Sequence, residues 1–142
     1  MSQDRVCFQM ESKSHNEQFA RVTAAVFAAR LDPTLEELND IKTAVSEAVT
    51  NAIIHGYEDE NGIVELELSA DDANRELTIK VCDRGCGIAD IEKAREPFYT
   101  TKSAQERSGM GFSFMEAFMD VVKVESVPKK GTTITMTKRI GV

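Results

Sequence analysis

The chain has 142 residues and a net charge of −7, and this length suits one domain with a core of its own. Apolar residues make up 42% and charged residues 29% of the sequence, which is typical of a folded globular protein rather than a disordered one. The negative charge disfavours DNA and anionic membranes as the main partner, because phosphate groups bind basic surfaces. A basic protein surface, or a ligand that arrives with Mg²⁺, fits this charge better.

No feature of the sequence predicts a membrane-spanning or an exported protein. No apolar run approaches the ~20 residues that cross a bilayer, and the first residues lack the profile of a signal peptide. The three cysteines are Cys7, Cys82 and Cys86, without the spacing of a zinc site. Cys82 and Cys86 flank a turn and could pair, but reduced thiols in a cytoplasmic protein are the simpler interpretation.

The N-terminal part of the chain predicts a strand followed by a helix. Over residues 5–11 apolar and polar residues alternate and predict one buried face, made of Val6, Phe8 and Met10. Ser14 and Glu17 have the spacing of a capping box, so a helix is expected to begin there. Asp32-Pro33 ends this helix, whose apolar residues are Phe19, Val22, Val26 and Phe27.

A second capping box, Thr34 and Glu37, predicts a longer helix that stops at Gly56. Its apolar side consists of Leu38, Ile41, Val45, Val49 and Ala52. Beside that side lie Glu47, Asn51 and His55; because four residues advance a helix by only ~40°, the three side chains project from nearly one face. Such a stripe could organise a magnesium-bound phosphate, and it also suits a solvated helix face.

The second half of the chain predicts mostly strands joined by short turns. The predicted elements are strands over 63–68 and 77–81, a short helix around Asp90–Arg95, a polar loop over 97–110, a helix that carries Phe112, Met115, Phe118 and Met119, and a closing hairpin of strands 121–126 and 132–137. We therefore expect an α+β fold, a two-layer α/β sandwich with a mixed, mostly antiparallel sheet covered by helices on one face. Without repeats or linkers, residues 1–142 are expected to form a single domain.

A glycine-containing motif, Asp83-x-Gly85-x-Gly87, follows the second of these strands. Glycines there allow a tight turn and let the backbone pass close to a flat ligand. Asp83, at the end of the strand, can accept a hydrogen bond from an exocyclic amine such as that of adenine. A plain turn capped by the aspartate is the alternative.

A second pair of glycines, Gly109 and Gly111, lies with Ser108 where the polar loop meets the next helix. Backbone amides and the positive end of the dipole at a helix N-terminus favour phosphate binding. The loop also carries hydroxyls and cations that could close over a triphosphate: Thr100, Thr101, Lys102 and Arg107. A glycine-rich helix cap after a solvated loop is the alternative, and Gly131-Thr132-Thr133 alone indicates only a hairpin turn.

In their order along the chain, these motifs resemble the GHKL ATPase superfamily, which has the Bergerat ATP-binding fold. Within it the sequence is similar to the anti-sigma-F factor family of endospore-forming bacteria, whose members are small protein-serine kinases. The similarity runs from residue 6 to residue 138 and rests on Phe19-Ala-Arg21-Val-Thr-Ala-Ala, Leu31-Asp-Pro-Thr34, the segment from Ile41 to Tyr57, Thr100-Thr-Lys102 and the segment from Glu106 to Phe112. Small departures stand at Arg84, Cys86 and Ser103.

This resemblance implies ATP or ADP and Mg²⁺ as cofactors and assigns roles to particular residues. Asn51 would coordinate Mg²⁺, and Glu47 would act as general base for an acceptor serine. Asp83 would bind adenine, with Gly85 and Gly87 allowing the purine to approach. The remaining implied nucleotide contacts are Thr101, Lys102, Arg107 at the γ-phosphate, Ser108, Gly109, Gly111 and Thr132.

The resemblance also implies protein partners. A member of this family binds sigma-F, blocks its use by RNA polymerase, and phosphorylates a serine of an anti-anti-sigma protein, thereby regulating sporulation. Arg21 would contact both partners, and two copies would pair through the N-terminal strand region. The alternatives are a related anti-sigma kinase of the general stress response and an ATP-dependent sigma-binding module without kinase activity. A histidine-kinase fragment is disfavoured because no helical phosphoacceptor segment precedes the domain.

Overall fold

The computed structural model describes residues 3–58, 60–95 and 111–141. Their elements in chain order are β1 (Gln3–Glu11), α1 (Asn16–Ala28) with a 3₁₀ turn (Ala29–Leu31), α2 (Leu35–Thr50) continuing into a π-helical turn (Asn51–Gly56), β2 (Ile63–Asp71), β3 (Glu76–Asp83), α3 (Ile91–Ala94), α4 (Gly111–Phe118), β4 (Val121–Val127) and β5 (Gly131–Arg139). The predicted elements within these ranges are therefore present, and the predicted loop over 97–110 lies outside them.

The five strands form one sheet in the order β1-β2-β3-β5-β4. The predicted α+β class is confirmed, but each of the four strand pairings in the described part of the chain is antiparallel, whereas we expected a mixed, mostly antiparallel sheet. The reason lies in the last strand. β3 and β4 run in the same direction, but β5 lies between them and runs opposite to both.

The core lies between the sheet and its helices. One residue in two along the inner strands is buried against the helices, as the alternation of the sequence predicts. The fully buried side chains include Leu66, Leu68, Leu77, Ile79, Ile134 and Met136 from the sheet and Ile41, Val45 and Val49 from α2. Each contributes roughly 1.5–3 kcal/mol through burial, so α2 is anchored firmly enough to fix the position of the side chains at its end.

The two predicted capping boxes have different outcomes. Thr34 caps α2 as expected, because its hydroxyl accepts from the Glu37 backbone at 3.1 Å and the Glu37 carboxylate accepts from the Thr34 backbone at 2.9 Å. The prediction of a capping box at Ser14 is wrong. The helix α1 begins at Asn16 after His15, and among the described residues no side chain caps its N-terminus. The reason is that the carboxylate of Glu17 accepts from Ser46 of α2 instead of reaching back along its own helix.

The predicted apolar faces of β1 and α1 are only partly buried. Met10 is buried and Phe8 is half-buried, but Val6 is 38% exposed. On α1 the buried face consists of Ala20, Ala24, Phe27 and Ala28, while Phe19, Val22 and Val26 are 58%, 48% and 71% exposed. Small alanine side chains on this face let α1 pack closely against α2, and Phe19, Val22 and Val26 lie on the outer side of the helix. The Phe8 and Phe19 rings meet edge to face, with centroids 5.9 Å apart.

Within the described ranges, no helix is long and apolar enough to cross a membrane.

Candidate functional site

The end of α2 departs from a regular α-helix. From Asn51 to Gly56 the backbone forms a π-helical turn, in which the Tyr57 amide donates to the Ala52 carbonyl at 3.0 Å. Single π turns inside helices occur often at functional sites. The sequence predicts a regular helix here, so this turn is unforeseen. Glu47 keeps its α-helical setting, whereas Asn51 and His55 lie in the wider turn, and the ~40° advance per four residues does not hold between those two.

Asp83 ends β3 as a buried carboxylate. It is only 4% exposed, and its Oδ1 accepts from the Gly85 amide at 2.9 Å. Burial raises the pKa of the Asp83 carboxyl above its ordinary value, and backbone hydrogen bonds from Gly85 and Thr132 oppose this shift in part. A buried acid with a perturbed pKa at the end of a strand is a candidate for ligand binding.

Gly56 and Gly85 bring two backbone segments together around this carboxylate. A Cβ at position 56 would lie 2.8 Å from Cγ of Asp83, and a Cβ at position 85 would lie 1.9 Å from the Gly56 carbonyl oxygen. Neither position has room for a side chain. From the sequence we expected Gly56 only as a helix stop signal, and its contact with Asp83 has no local sequence signal because the two residues belong to different elements.

The loop after Asp83 is held by the closing hairpin. Thr132 is paired with Asp83 in the sheet and is 3% exposed. Ser126 Oγ lies 2.8 Å from the Thr132 hydroxyl, accepts from the Ile88 amide at 2.7 Å, and donates to the Gly131 carbonyl at 3.1 Å. Ser126 was not predicted, since it occupies an ordinary position in an alternating strand. It fixes the backbone just beyond Gly87.

Two further contacts tie the same loop to the π turn. The Cys86 amide donates to the Gly56 carbonyl at 2.7 Å, and the Cys86 thiol donates to the His55 carbonyl at 3.0 Å. Cys82 accepts from the Thr133 hydroxyl at 3.4 Å. All three cysteines are free thiols, so the considered pairing of Cys82 with Cys86 is not formed. His55 contributes a backbone carbonyl to the loop.

Tyr57 connects the π turn to the first part of this loop. Its hydroxyl accepts from the Arg84 amide at 2.8 Å and donates to the Ile63 carbonyl. The aromatic ring also closes over Gly62, where a Cβ would come within 2.4 Å of it. Tyr57 was not predicted as part of the site. Through these two hydrogen bonds, Tyr57 links the end of the π turn to the loop after Asp83 and to the start of β2.

Glu47 and Arg21 line one groove. This groove lies between α1 and α2, has a volume of about 360 Å³, and is also lined by Lys42 and Thr43. The structure therefore brings the predicted general base and the predicted partner-binding arginine to the same surface. The carboxylate, two cations and a hydroxyl make this surface strongly polar.

The structure brings most of the described candidate residues to one end of the sheet. The π turn that begins at Asn51 contacts β3 and β5, which carry Asp83 and Thr132, and α4, which begins at Gly111, packs against α2. Gly85 and Gly87 lie in the loop that follows β3, and the backbone of Gly87 packs against that of Val127. The other candidates lie outside the described residues: Thr101, Lys102, Arg107, Ser108 and Gly109.

The sequence of this chain is similar to those of a known protein family. Residues 11–138 match the family described as histidine kinase-like ATPase domain. An anti-sigma F factor of Clostridium acetobutylicum is 58% identical over 139 residues, which are 98% of this chain and 96% of that protein. One of Geobacillus kaustophilus is 58% identical over 133 residues, 93% of this chain and 90% of that protein.

Two solved structures have a similar fold. The RsbU and RsbW domains of a Mycobacterium tuberculosis protein superpose with a TM-score of 0.68 at 19% identity, over 96% of this chain and 32% of that one. The histidine kinase domain of a blue-light activated kinase from Erythrobacter litoralis superposes with a TM-score of 0.54 at 25% identity, over 74% of this chain and 45% of that one. Both solved chains are much longer than this one.

Proposed function

Because this chain belongs to the anti-sigma F factor family and has a histidine kinase-like ATPase domain, we propose that it is a sigma-F-binding protein and an ATP-dependent protein serine kinase. It sequesters sigma-F from RNA polymerase and transfers the γ-phosphoryl group of ATP to a serine of an anti-anti-sigma protein, which this modification inactivates. The result is control of sporulation transcription in the cytoplasm. The observation that carries this proposal is the buried carboxylate of Asp83 beside the helix end that holds Glu47 and Asn51.

Asp83 fits an adenine base. Its Oδ1 is engaged by the Gly85 amide, and an ionised carboxylate has further acceptor sites for an exocyclic amine. A hydrogen bond to a charged acceptor that is shielded from water is worth about 1.5–3 kcal/mol. Gly85 and Gly87 keep the neighbouring backbone free of side chains, and Thr132 lies beside Asp83 in the sheet.

Asn51 fits a Mg²⁺ ion that arrives with the nucleotide. Magnesium in such sites needs only one or two protein oxygens because phosphate oxygens and water supply the rest. An amide oxygen is a hard neutral ligand, and Asn51 lies in the turn that contacts β3 and β5. When bound, the metal neutralises charge on the phosphates.

Glu47 acts as the general base in this proposal. It takes the proton from the acceptor serine hydroxyl as that oxygen bonds to the γ-phosphorus, and the bond from this phosphorus to the bridging oxygen of ADP breaks. Arg107 neutralises the γ-phosphate. Thr101, Lys102, Ser108, Gly109 and Gly111 complete the phosphate contacts.

Arg21 and the exposed apolar residues of α1 support the proposed protein contacts. Arg21 lines the same groove as Glu47, so a partner that presents its serine to Glu47 also reaches Arg21. Val6, Phe19, Val22 and Val26 form an exposed apolar set on β1 and α1, which supports a homodimer through the N-terminal region. Val26→Asp should shift the protein toward monomer in light scattering, whereas Ala117→Asp, which adds the same charge on α4, should not.

A labelling experiment tests the activity. The protein is incubated with γ-labelled ATP, Mg²⁺ and the anti-anti-sigma partner, and label on a partner serine supports the kinase. ATP-dependent sigma-F binding without label would leave only a sigma-binding module. Binding of a general-stress sigma factor in preference to sigma-F would indicate the related stress kinase instead.

The variant Glu47→Gln tests the base. We expect phosphoryl transfer to fall by about 10²–10⁴-fold while ATP affinity stays within twofold, because the amide keeps the shape of the side chain. Glu36→Gln is the matched control, since Glu36 is an exposed acid in the first turn of the same helix. Unchanged transfer in Glu47→Gln would remove the base assignment.

A further inference from the structure

Glu17 lies between the two helices that form the groove and bonds to both. Its side chain is only 15% exposed, and its Oε2 accepts from the Ser46 hydroxyl of α2 at 2.6 Å. The same oxygen lies 3.6 Å from Nε of Arg21, one turn further along α1. A carboxylate that has lost much of its water needs such partners, because an unpaired charge is costly to bury.

Arg21 uses one edge of its guanidinium in this pair. The contact with Glu17 is made by Nε, and the guanidinium has five N–H donors in a fixed plane. The four donors on the two Nη atoms are not needed for that contact. The Arg21 side chain is 38% exposed and lines the groove, so Nε faces Glu17 while the outer edge of the guanidinium remains accessible to a partner.

We propose that Glu17 is a positioning residue for protein recognition: it holds the Arg21 guanidinium toward the groove between α1 and α2, so that a partner meets an ordered cation. An arginine side chain otherwise loses considerable rotamer freedom when it is immobilised in an interface. Glu17 removes part of that cost in advance. This inference rests on the proposed function, in which Arg21 contacts the protein partners.

The test compares Glu17→Gln with wild type for binding of sigma-F and of the anti-anti-sigma protein. Immobilising one long side chain corresponds to about 2- to 12-fold in affinity. We therefore expect the dissociation constants of both partners, and the KM for the anti-anti-sigma protein as substrate, to rise by that factor. The kcat and the affinity for ATP should stay within twofold. Removal of a negative charge beside Arg21 would by itself strengthen attraction to an acidic partner, so weaker binding distinguishes ordering from charge.

Two controls separate positioning from packing and from net charge. Ser46→Ala removes the hydrogen bond between the helices and leaves the Glu17–Arg21 pair; Ser46 also lines the groove, so we expect a lower melting temperature and a loss of partner affinity clearly smaller than in Glu17→Gln. Glu36→Gln changes the net charge equally at an exposed position and should behave as wild type. Equal losses of affinity in Ser46→Ala and Glu17→Gln would overturn the proposal, because helix packing would explain both.

A double variant provides the decisive comparison. If Glu17 acts through Arg21, Glu17→Gln should cause no further loss of partner affinity in an Arg21→Ala background. Additive losses would overturn the proposal. If Arg21→Ala alone binds both partners as wild type does, the proposed role of Arg21 fails and the positioning role fails with it; if only Glu17→Gln is silent, Arg21 keeps its role and Glu17 loses its own.

Discussion

Gly56 lies directly against the carboxylate of Asp83, so that a Cβ at position 56 would approach both carboxylate oxygens and Cγ to 2.8–2.9 Å. The helix end and the strand end therefore meet through a backbone surface without a side chain between them. Because Asp83 is buried and the Gly56 carbonyl accepts from the Cys86 amide, neither segment can move aside without breaking hydrogen bonds of the loop.

Gly56→Ala should displace the Asp83 carboxylate. We expect the free energy of unfolding to fall by about 1–3 kcal/mol through overpacking and the affinity for an ATP analogue to fall by at least ~10-fold, because the acceptor for adenine moves. Urea unfolding and titration with a fluorescent ATP analogue measure the two effects. Wild-type affinity in a folded Gly56→Ala protein would contradict the role of this contact.

Asp83→Asn should separate stability from nucleotide binding. The amide oxygen keeps the bond from the Gly85 amide, and the burial that raises the pKa of Asp83 no longer acts on a charge. We therefore expect equal or greater stability at pH 7 but a loss of about 1.5–3 kcal/mol in binding of ATP, since an NH₂ group faces the adenine amine. Calorimetric titration measures the affinity, and Asp72→Asn in the exposed β2–β3 turn is the control.

The difference in stability between Asp83→Asn and wild type should depend on pH. Folding raises the pKa of the Asp83 carboxyl above its unfolded-state pKa, near 3.8. The stability that this group contributes is therefore fully present at pH values below the unfolded-state pKa, and it is lost as the pH rises through the folded-state pKa. The advantage of Asp83→Asn over wild type in the free energy of unfolding should therefore grow as the pH rises through this window. An advantage that shrinks over the same range would show that the carboxylate is stabilised by the fold.

Glu37 should have the opposite dependence. Hydrogen bonds from the backbone amides of Gly141 and then Thr34 hold the pKa of Glu37 below its ordinary 4.5. Its contribution is present above that value and is lost as the pH falls through the folded pKa. Glu37→Gln should be less stable than wild type at pH 7, and the difference should narrow in urea unfolding as the pH falls below about 4.5. A constant difference would contradict this.

Thr34→Ala should lower stability, and Ser14→Ala should not. Loss of the Thr34 cap removes a hydrogen bond to the Glu37 amide and should cost about 1 kcal/mol. Ser14 precedes a glutamate by the same spacing but does not cap α1 within the described residues, so its loss should stay below ~0.5 kcal/mol. Equal losses in urea unfolding would show that Ser14 caps α1 in solution.

The contrast between these two caps shows what the sequence can predict and what it cannot. Both motifs have the same local spacing, yet only Thr34 is a cap, because Glu17 finds a partner on another helix. The alanine-rich face of α1 is buried for a similar reason: close approach to α2 selects small residues, and no local pattern reveals that neighbour. The position of β5 between β3 and β4 is likewise a non-local choice.

The candidate site was predictable where it depends on residue types and order along the chain. Asp83 and its glycines alone also suit a plain turn, and they stand out because their order with the other motifs resembles an ATP-binding family. Gly56, Ser126 and Tyr57 did not stand out, since their roles depend on elements that meet only in the folded chain. The π turn at Asn51 also has no local signal, because its sequence suits an ordinary helix. The roles given to Glu47, Asn51 and Asp83 remain predictions.

The insertion of β5 between β3 and β4 also determines when the site can form during synthesis. Gly56 and Asp83 leave the ribosome well before the C-terminal strand, but Thr132 and the hairpin that hold the Asp83 loop belong to that strand. A chain that ends early has α1, α2 and the first three strands without the edge on which Asp83 is paired. We therefore expect a chain truncated before β5 to lose the proposed nucleotide binding.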